Sequence, residues 1–310
     1  MTRTVVATAY GGPEVLAVQD IEFPEPGQGQ VLVDVRAAGT NPIDYKLYSG
    51  AMGRDPERLP MPVGLEASGV ILAAGPDAEG FTGALHVGDE VVATNVVGGY
   101  AERVIAEASD VGHKPAGMPF EQAAGLLATA TTAWHLLMKT KVGMNDTVLV
   151  HGGSGGVGLM VLQLAKARGA RVIATASPAR HDQLREYGAE PVAYGPGLAD
   201  RVAAIGPVDA ALDLVGTDEA LDTSVALVSD RTRIATIAGF ARAAELGIAA
   251  LSGADGGQEV RDAARAELLA LAADGRLQVT VDKVFGLEEA AEAHRYLLGG
   301  HAGGKVVLVP

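Results

Sequence analysis

A chain of 310 residues exceeds what one ordinary core of roughly 100 to 200 residues needs, so two domains are expected. With 48% hydrophobic and 20% charged residues, bulk disorder is excluded, and a net charge of -14 disfavours nucleic acid and anionic membrane surfaces as partners. No cysteine is present, which excludes disulfides, thiolate nucleophiles and every zinc site built on sulfur ligands.

In chain order, strand signals crowd the first third, at residues 5–10, 15–23, 30–39, 69–74, 90–95 and 100–106. These runs are short, alternating or β-branched, and parted by Gly and Pro turns, the pattern of a β-rich, barrel-like unit. Residues 1–10 lack a basic stretch followed by a long apolar core, so no secretory signal is expected and a cytoplasmic location is. At Met118 the period changes: Pro119 stands at a helix start, and residues 121–139 read as one Ala/Leu-rich helix. The uncharged stretches 123–138 and 148–165 contain His, Thr or clustered Gly and suit buried helices and turns, not membrane spans.

From Thr147, strands at 147–151, 171–176, 191–194, 208–214 and 233–238 alternate with helices at 157–168, 178–187, 198–204 and 218–228. This alternation predicts an α/β, doubly wound parallel sheet with right-handed crossovers. The tail reads as a helix at 260–274, a strand at 277–284, a helix at 287–298 and a last strand at 305–309.

The run His151-Gly152-Gly153-Ser154-Gly155-Gly156-Val157-Gly158 joins an apolar strand to a helix. Gly153, Gly155 and Gly158 supply G-x-G-x-x-G. Glycines there permit a tight turn and let the amides of Ser154, Gly156 and Val157 approach a pyrophosphate at the positive end of the helix. An NAD site normally carries an acid at the end of the second strand to hold the ribose 2′-hydroxyl, but this chain has Thr175-Ala176-Ser177. Ser177 reads as a cap for the helix opened by Pro178, or as a phosphate contact. Arg180 opposes the macrodipole in the first helical turn and becomes favourable beside a 2′-phosphate, so NADPH is expected over NADH.

The segments AGTNPIDYKLYSG, PVGLEASGVI, HGGSGGVG, ARVIATAS and GGKVVLVP together resemble the zinc-independent quinone oxidoreductase (zeta-crystallin-like) branch of the medium-chain dehydrogenase/reductase superfamily. The resemblance spans the whole chain. It implies a GroES-like β-rich barrel domain over 1–117, a Rossmann domain over 118–256 and a return to the first domain over 257–310. Zinc-dependent relatives carry a cysteine ligand where this chain has Asn41 and Gly-His-Glu where it has Gly64-Leu65-Glu66, so no metal is expected.

The resemblance also implies that Asn41, Asp44 and Thr132 lie near the nicotinamide, that Asp213, Val215, Gly216 and Gly239 line the cofactor cleft, and that Tyr194 and Lys305 neighbour the adenosine phosphate. Each has a plainer alternative. Asn41-Pro42-Ile43-Asp44 reads equally as a helix start with an Asn cap, Pro at the first position and an acid at the third. Thr132 sits in a helix, where its hydroxyl can bond a carbonyl one turn back. Tyr45 and Tyr48 share one helical face and suit packing, yet they and Lys46 are the side chains expected to donate to the acceptor oxygen. Trp134, His135 and His151 read as packing or strand-end residues.

The implied activity is hydride transfer from NADPH to a small quinone or α,β-unsaturated ketone, by a homodimer. An enoyl-thioester reductase, and an NADPH-binding structural or sensing protein without turnover, are the alternatives.

Overall fold

A computed structural model describes residues 1–254, 256–300 and 302–310. The chain forms two compact units, Met1–Ala128 with Leu269–Pro310, and Thr129–Leu268. These limits fall after those expected from the period change at Met118, because the helix Phe120–Ala124 belongs to the first unit. The Ser68 hydroxyl donates to the Phe120 carbonyl at 2.7 Å and ties that helix to the sheet. The long helix expected over 121–139 is broken: Phe120–Ala124 ends at Gly125 and Leu127–Lys139 follows. Gly125 is needed there, since a Cβ would lie 2.8 Å from Lys305 Cγ.

The first unit is built on a sheet ordered Val111–His113, Glu90–Thr94, Glu66–Ala74, Gln30–Gly39, Lys305–Val309 and Val281–Gly286, with Arg103–Glu107 also pairing Gln30–Gly39. The last strand therefore does return to the N-terminal sheet, running antiparallel to Gln30–Gly39 with Val307 opposite Gly39. Period-2 alternation along Gln30–Gly39 buries Val31, Val33 and Val35, each worth about 1.5–3 kcal/mol of transfer free energy. Facing them are Val5, Ile71, Val91, Val104, Val306 and Leu308.

The second unit carries six strands, all paired in parallel, in the order Glu190–Ala193, Arg171–Ala176, Thr147–His151, Ala210–Asp213, Ile234–Thr236 and Ala249–Ala250. Numbered within the unit this is 3-2-1-4-5-6, whose order reverses at Thr147–His151, the place where doubly wound sheets bind ligands. Thr147–His151 is buried at every position, as a strand covered on both faces must be. The two-residue strand Ala249–Ala250 and the helix Phe240–Leu246 before it have no counterpart in the sequence reading.

Candidate functional site

In the second unit, Gly152 turns the chain out of the sheet with φ +80°, a conformation that suits glycine. Its amide donates to Thr175 Oγ1 at 3.2 Å, and the Gly153 amide to the Thr175 carbonyl at 2.9 Å. A Cβ on Gly153 would lie 2.7 Å from that of Ala174, and one on Gly158 would lie 2.4 and 2.5 Å from the carbonyl oxygens of Gly152 and Gly153. Helix, turn and neighbouring strand therefore meet backbone to backbone. Gly155 differs: a Cβ there would meet nothing nearer than the Gly152 oxygen at 3.6 Å, so this face of the turn is open. The helix Gly156–Ala167 begins beside it with no side-chain cap. Its first-turn amides, at Gly156, Val157 and Gly158, have no carbonyl one turn back, and the helix dipole adds positive potential, which together suit a bound anion.

Parallel register brings the flanking strand ends to the same edge, with His151 opposite Thr175 on one side and Asp213 on the other. Asp213 is fully buried. Its carboxylate accepts from the amides of Val215 and Gly216, at 3.1 and 3.0 Å, and from the Thr236 hydroxyl at 2.5 Å. Thr236 Oγ1 in turn accepts from the Gly239 amide at 2.9 Å, and Gly152 has room for no Cβ because Val215 lies against it. Asp213, Val215, Gly216 and Gly239 are thus gathered beside the glycine turn. Ser177 and Arg180 follow the strand Arg171–Ala176, and the exposed Tyr194 follows its neighbour Glu190–Ala193. Ser177 makes no capping hydrogen bond. Thr132, half-buried, lies on Leu127–Lys139. Trp134 packs under the Arg168 guanidinium, and His151, its Nε2 3.1 Å from Ser224 Oγ, is pushed down to about 4 by burial.

The first unit holds a second constellation. The Lys305 ammonium donates to Glu66 Oε1 at 2.7 Å, Asn41 Oδ1 at 2.8 Å and the Thr40 carbonyl at 2.9 Å, so its three donors are used. Lys305 thus forms a buried ion pair with Glu66. Asn41 Nδ2 donates to Glu66 Oε1 at 2.9 Å, and the Ala128 amide to Glu66 Oε2 at 3.1 Å. Asn41 is the N-cap residue of the helix Pro42–Tyr48 by position, but its side chain serves Lys305 and Glu66.

Below it, Asp44 Oδ2 accepts from the Asn41 amide at 2.8 Å and the Tyr100 hydroxyl at 2.7 Å, while Oδ1 is buried without a partner. Desolvation pushes the Asp44 carboxyl up to about 7, against the pull of Tyr100, the Asn41 amide and Lys305. Burial also raises the hydroxyls of Tyr48 and Tyr100 and lowers His294 to about 4. His294 lies between the two tyrosines, Nδ1 2.7 Å from Tyr48 Oη and Nε2 3.1 Å from Tyr100 Oη. Tyr48 is thus committed to His294, and Tyr45 packs edge-on against it, their rings 5.4 Å apart. Asp44 also lines a cavity of about 280 Å³ whose other walls are Arg58 and the apolar side chains of Leu47, Met61, Val63, Leu65 and Val97.

Glu66, Tyr100 and His294 carry this constellation without having been singled out as site residues. For Glu66 a signal was present, an acid opening the largely apolar strand Glu66–Ala74, whose first four residues are buried. For His294, on the amphipathic helix Ala290–Leu298, no local pattern marks a partner 194 or 246 residues away.

A family model described as alcohol dehydrogenase GroES-like domain matches residues 27–141, and one described as zinc-binding dehydrogenase matches 181–308. The quinone oxidoreductase of Pseudomonas aeruginosa is 33% identical over 100% of both chains. Among solved structures, a mycobacterial protein complexed with NADPH is 32% identical with a TM-score of 0.88, and Escherichia coli quinone oxidoreductase complexed with NADPH is 26% identical with 0.86, each covering 100% of both chains.

A zinc ion does not fit the donors present. Among the described residues no group of three His, Cys, Asp or Glu side chains can hold a metal, and the oxygens of Asn41 and Glu66 converge on an ammonium. Full-length identity to a quinone oxidoreductase, the two family models and the matching folds agree: the chain belongs to the quinone oxidoreductase family of the medium-chain dehydrogenase/reductase superfamily.

Proposed function

We propose that this protein is an NADPH-dependent oxidoreductase that reduces quinones or α,β-unsaturated ketones without a metal. The observation that carries it is the open glycine turn: unpaired first-turn amides at the reversal point of the parallel sheet, with Ser177 and Arg180, not an acid, after the second strand. The NADPH named for two matching structures and the activity named for the Pseudomonas relative support the same cofactor and chemistry.

NADPH, when bound, supplies the hydride. The amides from Ser154 to Gly158 hold its diphosphate, and Ser177, Arg180 and Tyr194 take the 2′-phosphate side. Asp213 fixes the loop of Val215 and Gly216, and with it Gly239, through backbone amides and Thr236. Asn41, Asp44 and Thr132 serve the nicotinamide and acceptor end, Asn41 being held by Lys305 and Glu66. The apolar cavity beside Asp44 suits a flat conjugated carbonyl compound and keeps water from the reacting carbon. Conjugation spreads the charge left on the acceptor oxygen, so hydrogen-bond donors suffice where a metal is lacking. A cytoplasmic homodimer completes this proposal.

The test is NADPH oxidation by purified protein against quinones, enones, enoyl thioesters and, in reverse, simple alcohols with NADP. Turnover of quinones or enones with none of alcohols supports the proposal. Preferred turnover of enoyl thioesters would reassign the substrate, and zinc-dependent alcohol oxidation would overturn the whole assignment.

A further inference from the structure

The two oxygens of Asp44 are unequal. Oδ2 holds both available donors, the Asn41 amide and the Tyr100 hydroxyl, while Oδ1 has none. Leaving a carboxylate oxygen bare in a dry site costs about 1–3 kcal/mol or more for a charged group, and a proton on Oδ1 lowers that cost by removing the charge. The side chain is 1% exposed, which favours the neutral acid for the same reason.

The hydrogen-bond directions behind Asp44 follow from counting protons. The single Tyr100 proton is spent on Asp44, so the contact between Tyr100 Oη and His294 Nε2 must be donated by the imidazole. That tautomer leaves Nδ1 as an acceptor, which the Tyr48 hydroxyl satisfies at 2.7 Å. Each donor of Tyr48, His294 and Tyr100 therefore points towards Oδ2, which keeps the carboxyl proton on Oδ1. The other groups facing Asp44 are Glu66 and Lys305 from the neighbouring strands and Arg58 across the cavity.

We propose that Asp44 is the proton donor of the reduction, its acidic proton held on Oδ1 by the positioning chain Tyr100–His294–Tyr48. This role rests on the hydride transfer proposed above. In balance, hydride adds to one oxygen of a quinone or to the β-carbon of an enone, and an electron pair moves through the conjugated system to the remaining carbonyl oxygen, giving a hydroquinone monoanion or an enolate. The O–H bond at Asp44 Oδ1 breaks, a new O–H bond forms on that oxygen, and Asp44 is left as a carboxylate. Water entering the cavity after product release returns the proton. A buried acid with a pKa near the working pH suits this task better than Tyr48, whose hydroxyl is locked on His294.

The test measures kcat/KM against pH for wild type, Asp44→Asn and Tyr100→Phe with two acceptors, a neutral benzoquinone and the cation N-methylphenazinium. The cation becomes neutral on taking hydride and needs no proton. With the quinone, wild-type kcat/KM is expected to fall as pH rises through about 7, the pH at which the acid form is lost. Asp44→Asn should lower quinone kcat/KM about a hundredfold and abolish that limb, with a far smaller loss for the cation. Tyr100→Phe removes a bond that favours the carboxylate, so the limb should move to higher pH.

Equal losses with both acceptors, or an unaltered limb in Asp44→Asn, would overturn the role. If Asp44→Asn does not fold, an unmoved limb in Tyr100→Phe overturns it by itself. Wild-type protein that reduces neither acceptor would instead refute the hydride-transfer proposal.

Discussion

Replacing Lys305 by Met keeps the stem's packing and deletes the ammonium between Glu66, Asn41 and the Thr40 carbonyl. Both side chains of the pair are under 5% exposed, so water cannot take over. Glu66 would keep the Asn41 Nδ2 and Ala128 amide bonds but lose its cation. Removing one partner of a buried ion pair costs about 3–5 kcal/mol, because the survivor is an uncompensated charge. For a unit of this size that lowers Tm by roughly 10 °C, at about 2–4 °C per kcal/mol. Thermal unfolding followed by circular dichroism would measure it. The double variant Lys305→Met with Glu66→Gln removes the stranded charge and should recover at least half of the loss. A single variant within about 1 kcal/mol of wild type, or a double variant no better than the single, would refute the assigned role of the pair.

Other consequences reach the second unit. Gly158→Val places a side chain against the carbonyls of Gly152 and Gly153, so it should abolish NADPH binding and cost about 2 kcal/mol or more by overpacking, read by calorimetry and denaturant unfolding. Arg180→Ala should raise the Kd for NADPH about tenfold while leaving that for NADH within about twofold, the value of one charge-assisted phosphate contact. Stability should depend on pH differently in the two units. His151, lowered from 6.5 to about 4, takes up its proton more readily when unfolded, so the second unit should lose about 1.4 kcal/mol per pH unit as pH falls from 6.5 to 4. In the first unit His294 has the same slope, but Asp44, raised from 3.8 to about 7, gains stability as pH falls and offsets it over that window. Asp44→Asn should therefore expose the acid sensitivity of His294, measured by unit-resolved hydrogen exchange.

What the sequence shows depends on how local each interaction is. The turn from His151 to Gly158 was legible because its requirements are contiguous: a buried strand, glycines where carbonyls approach, and a helix start. The period of Lys305–Val309 marked a strand, and the resemblance, not the period, indicated its partner. Gly125 gave no sign of ending a helix within an Ala/Leu-rich run, since its cause is the stem of Lys305, distant in the chain. A lysine opening a strand likewise does not reveal that Glu66 and Asn41 will surround it. The chain from Tyr48 to Asp44 joins a seven-residue helix, a loop end and a C-terminal helix, and no spacing encodes it. Ala249–Ala250 is too short to alternate, and its place at the sheet edge rests on parallel pairing with Ala235 and Thr236, which no local pattern encodes.

The central claim is that the amides after Val150 bind a reduced dinucleotide whose 2′-phosphate is recognised. Calorimetric titration of the wild-type protein with NADPH and with NADH tests it most directly. Saturable binding of NADPH, with a Kd at least about tenfold below that of NADH, is predicted from one added charge-assisted contact. Absence of binding to either dinucleotide would contradict it.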